Sequence, residues 1–159
     1  MKYSEARFFI KSGDILLYRG KTALSRFICR MTGGSWSHVG VAYWVQDRLF
    51  IFQQEEFKNC NLQLLSETVP FDWVEMGLTI PADFEHWMYS QLNHPYSYWD
   101  AFMVGIGLRG HDAHGICSEM ATDVLDRLGK HYPECRESPA SLAAALLDDG
   151  HILRSVLPD

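Results

Sequence analysis

The stretch from His38 to Phe52 limits what this chain can fold into more than any other. An apolar run, His38-Val39-Gly40-Val41-Ala42-Tyr43-Trp44-Val45, meets the polar Gln46-Asp47-Arg48 and is followed at once by Leu49-Phe50-Ile51-Phe52. Two runs of β-branched and aromatic residues around so short a turn predict an antiparallel hairpin. An earlier run, Ile15–Tyr18, bounded by Gly13-Asp14 and Arg19-Gly20, predicts a first strand. A weaker strand over 61–65 would extend the sheet.

The remaining signals are mostly helical. Leu24, Phe27, Ile28 and Met31 recur at helical spacing before Gly33-Gly34. Pro81 suits a first helical turn, with Phe84, Trp87, Met88 and Leu92 on one face and Pro95 beyond the end. A short helix is expected over 99–106. Met120, Ala121, Val124, Leu125 and Leu128 predict a helix over 118–128, capped by Gly129. Ser138-Pro139 starts a last helix through Leu147. Strands first and helices second make an α+β chain, with an antiparallel sheet packed against helices.

A chain of 159 residues has the length of one domain, so 1–159 is read as a single unit. Its 47% hydrophobic and 21% charged content is ordinary for a soluble globular protein. The formal charge of −6, with no run of lysines and arginines, argues against nucleic acid and anionic membrane as partners. Phe8-Phe9-Ile10 is too short for a signal core, and 101–108 is too short to span a bilayer. The expected location is therefore cytoplasmic, with lysis, a secretion machine or a phage particle as routes to an outside substrate. Cys29, Cys60, Cys117 and Cys135 form no CxxC pair and read as free thiols. Cys29 falls in an apolar helix pattern, and Cys60 and Cys135 fall in expected loops.

The chemistry concentrates at two places. Trp36-Ser37-His38-Val39-Gly40 sets a histidine at the entrance to a strand; Gly115-Ile116-Cys117-Ser118-Glu119-Met120 sets a cysteine at the start of a helix. A helix N-terminus lowers a thiol pKa because its unpaired N–H groups and macrodipole favour the thiolate. A histidine held at a strand end can take the thiol proton, and the same N–H groups suit the oxyanion of acyl transfer. Cys117 is thus the candidate nucleophile and His38 its base. A third group usually orients the imidazole. The second strand of the hairpin ends in Gln53, Gln54, Glu55 and Glu56, and alternation puts Gln53 and Glu55 on one face. Gln53 is the first candidate and Glu55 the second.

Together the segments Gly13-Asp14-Ile15-Leu16-Leu17-Tyr18, Ser37-His38-Val39-Gly40-Val41, Cys117-Ser118-Glu119-Met120 and Ser138-Pro139 resemble the YiiX-like branch of the NlpC-type superfamily. Pro95-Tyr96-Ser97-Tyr98-Trp99 is similar to the Tyr-rich segment those proteins carry before the cysteine. The resemblance implies a circularly permuted papain-like fold, in which the histidine precedes a late cysteine and a polar residue on the next strand completes a triad. It implies a cysteine amidase or endopeptidase, a thiol hydrolase working through a thioester on a peptide or other amide, with no cofactor or metal. Peptidoglycan stem peptides are the substrate of the cell-wall branch, and lipid esters that of the lecithin:retinol acyltransferase branch. Members often carry glutamate at the third position, where this chain has Gln53.

Competing readings have their own signals. His111, Asp112, His114 and Cys117 offer an H-x-x-H-x-x-C spacing that would suit zinc, but Gly110 and Gly115 mark a loop where spacing carries little geometry. A lipid acyltransferase or amidase on the same scaffold would transfer to an acceptor other than water. A silent binding module would not need both Cys117 and His38. Trp36 and the stretch 96–99 are the aromatics expected to wall a groove. Asp14 reads as turn chemistry.

Overall fold

The computed structural model describes residues 1–20, 29–30, 34–55, 58–95, 116–135 and 138–159. Among these, six strands form one antiparallel sheet: β1 (Ile15–Tyr18), β2 (His38–Val45), β3 (Arg48–Glu55), β4 (Asn59–Leu64), β5 (Phe71–Val74) and β6 (Leu153–Val156). Their spatial order is β4-β3-β2-β1-β5-β6. Four helices are described, α1 (Tyr3–Ala6), α2 (Phe84–Gln91), α3 (Cys117–Arg127) and α4 (Pro139–Asp148). The fold is α+β. Among the described residues no helix is long and apolar enough to cross a membrane.

The hairpin forms in the expected place, with Val45 opposite Arg48 and Val41 opposite Phe52. Gln46 makes the reversal at φ 55°. The expected strand at 61–65 begins two residues earlier, so Cys60 lies in a strand and not in a loop. The helix read from Pro81 begins at Phe84, whose N–H donates to the Pro81 carbonyl at 3.1 Å across a preceding turn. Gly129, at φ 82°, ends α3, and the Lys130 N–H returns to the Leu125 carbonyl at 2.8 Å. Ser138 caps α4 by accepting from the Ser141 N–H at 3.1 Å. Cys29 and Arg30 are helical; the rest of the helix expected near 23–31, and the one at 99–106, lie outside the described residues.

Three elements have no counterpart in the sequence reading: α1, β5 and β6. Among the described residues the second half therefore holds a strand as well as helices, because the chain returns to the sheet after α4. The two ends of the chain lie side by side there. The Tyr3 N–H donates to the Leu157 carbonyl at 2.9 Å and the Leu157 N–H to the Met1 carbonyl at 3.0 Å.

The sheet is covered on both faces, which explains why the hairpin is apolar at consecutive positions. On one side Ile15, Leu17, Val39, Val41 and Phe52 pack with Met120, Ala121, Val124 and Leu125 of α3 and with Leu142 and Leu146 of α4. On the other, Leu16, Ala42, Ile51 and Trp73 pack with Tyr3, Ala6 and Ile10 from the N-terminal segment. Gly40 belongs to this second side. A Cβ there would stand 2.5 Å from the Cδ1 of Ile51, so only glycine lets β2 and Ile51 approach so closely.

Gly13 and Asp14 start the first strand for separate reasons. Gly13 has φ 93°, which a side chain would strain. Asp14 is buried, and its carboxylate takes the N–H of Lys11, the indole N–H of Trp73 and the N–H of Met76, each at 2.9 Å. It ties the start of β1 to the far end of β5. Asp14→Ala would leave the Trp73 and Met76 donors buried without a partner, at a cost of about 1–3 kcal/mol for each. Urea denaturation should accordingly show a loss of about 3 kcal/mol; an unchanged midpoint would refute this role.

Candidate functional site

Helix α3 packs over β2, and this brings the first residue of the helix to the first residue of the strand. Cys117 begins α3 and His38 begins β2. The two side chains are hydrogen-bonded. The other ring nitrogen of His38, Nε2, lies 2.8 Å from Oε1 of Gln53 on β3. Cys117 is 6% exposed and Gln53 3% exposed, so both contacts are shielded from water.

The Gln53 amide fixes the histidine tautomer. Its Nε2 lies 3.2 Å from a carboxylate oxygen of Glu55, 3.3 Å from Gln63 Oε1 and 3.4 Å from Asn61 Oδ1. A carboxylate can only accept, so the amide nitrogen points toward Glu55 and the amide oxygen toward His38. That oxygen can only accept as well. His38 Nε2 therefore carries a proton, and Nδ1 is the nitrogen left for the thiol. Glu55 in turn pairs with Lys58 at 3.0 Å.

The electrostatics follow from these contacts. Burial penalises the Cys117 thiolate. His38, through its charge and its hydrogen bond, outweighs that penalty, helped by the N–H groups of Val39 and Ser118, and the thiol pKa falls below its ordinary value. Burial likewise disfavours the imidazolium. The thiolate beside it, the Gln53 oxygen and the more distant Glu55 charge win, and the His38 pKa is raised. A thiolate–imidazolium pair is the state that these shifts favour. Cys60 behaves in the opposite way: with burial alone acting on it, its pKa is pushed up to about 12.

Cys117, His38, Gln53 and Glu55 thus stand together, in that order of contact. Gln53 is the direct partner of the imidazole, and Glu55 reaches it only through Gln53. Asn61 and Gln63 belong to the same network and were not singled out from the sequence. Their signal was present in the alternation Asn59-Cys60-Asn61-Leu62-Gln63-Leu64, whose polar positions face one way. Trp36, expected to wall a groove, is half-buried, with its indole N–H on Asp72 Oδ2 at 2.8 Å. His111, Asp112, His114 and the stretch 96–99 lie outside the described residues. The four cysteines are free thiols.

No family model and no curated protein matches this chain. Among solved structures it is similar to the metalloprotein yiiX from Escherichia coli O157:H7, at 14% identity and a TM-score of 0.60. The likeness covers 94% of this chain and 98% of that one. At such identity it speaks for the fold alone, and the fold agrees with the resemblance carried by the sequence motifs. The chain has a YiiX-like fold.

Proposed function

We propose that this protein is a cysteine amidase or endopeptidase of permuted papain-like architecture, with Cys117 as nucleophile and His38 as acid and base. The observation that carries this reading is the shielded chain of hydrogen bonds from Cys117 through His38 to Gln53. A buried cysteine without such a partner is inert, as Cys60 illustrates.

The Cys117 thiolate attacks an amide carbonyl carbon, forming the S–C bond while the carbonyl π electrons move to oxygen. Backbone N–H groups in the first turn of α3 stabilise that oxyanion. The His38 imidazolium gives its Nδ1 proton to the leaving nitrogen as the C–N bond breaks. Water then attacks the thioester, His38 takes its proton, and the C–S bond breaks to return the thiolate. Gln53 holds the ring in the required tautomer throughout. Glu55 adds a negative charge that favours the imidazolium without touching it.

The pH dependence follows from the two shifts. The lowered Cys117 pKa moves thiolate formation to lower pH, and the raised His38 pKa keeps the imidazolium to higher pH. Hydrolysis should rise through the first and fall through the second. Iodoacetamide should alkylate Cys117 below the pH at which an ordinary thiol reacts, with the modified peptide identified by mass spectrometry. In His38→Ala the rate near pH 6 should fall about a hundredfold, and the profile should become that of an isolated thiol. A profile indifferent to His38 would reject the ion pair. Gln53→Ala and Glu55→Gln should each move the acid limb of alkylation to higher pH, Gln53→Ala further. Cys117→Ala should abolish cleavage of a peptide mixture while retaining the wild-type circular dichroism spectrum; retained cleavage would overturn the assignment.

A further inference from the structure

Arg19 lies just beyond the end of β1, on the face of the sheet that carries Cys117. Side chains alternate along a strand, so Arg19 shares the side of Leu17, which belongs to the same buried cluster as Val39 and Cys117. Leu17 is opposite Val39 on β2 and opposite Asp72 on β5, and Asp72 is opposite Ser155 on β6. Arg19, Asp72 and Ser155 therefore follow one another across the face that α3 covers, at the end of the sheet where His38 sits. The backbone ties Arg19 to that end as well. The Tyr18 carbonyl accepts from the Ser37 N–H at 3.0 Å, and the Gly20 N–H donates to Ser37 Oγ at 2.8 Å.

The guanidinium is held but not used up. Its Nε and Nη2 donate to a single oxygen of Asp72, at 3.2 and 3.1 Å, and its plane stands 5.8 Å from the Trp36 ring centroid. Asp72 is buried and its other oxygen takes the Ser155 hydroxyl at 2.6 Å. Asp72 is satisfied from within, while three of the five N–H donors of Arg19 are not engaged by it. The Arg19 side chain is 64% exposed and borders a groove of about 260 Å³ that Leu17, Phe71, Asp72 and Ser155 also line. The ion pair and the Trp36 face hold the guanidinium in one orientation, which lowers the cost of ordering it when a ligand binds.

We propose that Arg19 is a specificity-determining residue of the Cys117 site, accepting a carboxylate of a peptide-like substrate. This rests on Cys117 being the nucleophile. Neighbouring strands are about 4.8 Å apart, so the guanidinium, reaching from β1 toward β5, stands roughly 10 Å from the end of β2. Extended chain covers about 3.4 Å per residue, which places the carboxylate two to three residues from the scissile carbonyl. The substrate class is an acidic peptide or peptide-like amide, bearing a terminal or side-chain carboxylate at that spacing.

Chloroacetyl peptides test the subsite and the nucleophile separately. Cys117 sulfur displaces chloride from the chloroacetyl carbon, so the rate reports binding without needing a natural substrate. A set with one to four alanines, each as free acid and as amide, is run on wild type, Arg19→Gln and Arg19→Lys. Every rate is divided by that of iodoacetamide in the same protein. In wild type the acid should outpace the amide about tenfold at two or three alanines, the worth of one charge-assisted hydrogen bond. The preference should vanish in Arg19→Gln and survive, reduced, in Arg19→Lys. Equal rates for acid and amide, or a preference that persists in Arg19→Gln, would overturn the subsite while iodoacetamide still marks Cys117 as reactive. Failure of iodoacetamide itself to modify Cys117 would overturn the nucleophile and the subsite with it.

Discussion

The packing of α3 against the inward side of β2 sets the position of nearly everything else. Met120, Ala121, Val124 and Leu125 meet Val39 and Val41 in one buried cluster, so the helix cannot slide or turn without exposing apolar surface. The helix starts where the strand starts, and the two residues that begin them are Cys117 and His38. Neither belongs to a long loop. A thiol and an imidazole held by a helix and a strand keep their spacing through the packing of the core. The reverse side of the sheet matters to the site too, since Gly40 lets Ile51 close against β2. The ladder between β2 and β3 in turn fixes how near the strand bearing His38 comes to the strand bearing Gln53.

A second theme is where the negative charge stands. A glutamate in place of Gln53 would put a second carboxylate oxygen against Glu55, 3.2 Å from the site of the present amide nitrogen. Two carboxylates so close would repel, and one would bind a proton. Glutamine avoids this. Its oxygen accepts from His38 and its nitrogen donates toward Glu55, so the charge is set back by two residues and felt through the amide. The imidazolium is stabilised less than by a direct carboxylate, and its orientation is defined by one residue that can act only one way round.

The sequence carried the hairpin, α3 and α4 clearly, because each has a strong apolar period and punctuation by Gly, Pro or Ser. The contact of Cys117 with His38 was out of reach, since it depends on how a helix near the end packs on a strand near the start. Alternation puts Gln53 and Glu55 on one face, Gln53 ranks first because it directly follows the apolar run, and the contacts place Gln53 next to the ring. Strand β5 was hidden by its own chemistry. Asp72 in the middle of Phe71-Asp72-Trp73-Val74 breaks the pattern of a buried strand, and only Arg19, Trp36 and Ser155, from three distant segments, make that carboxylate tolerable inside. β6 and α1 are four residues each, and they form because the chain ends meet there, which no local window can register.

That meeting has a further meaning. With Met1 and Tyr3 bonded to Leu157, the backbone comes close to being a closed ring. In a ring, which of two groups comes first is decided by where the ring is cut. A chain opened at the Gln46-Asp47 reversal, with its present ends joined, would place Cys117 before His38 and could keep the same helix on the same strand. The linear order of Cys117 and His38 is then an accident of where the ring is cut.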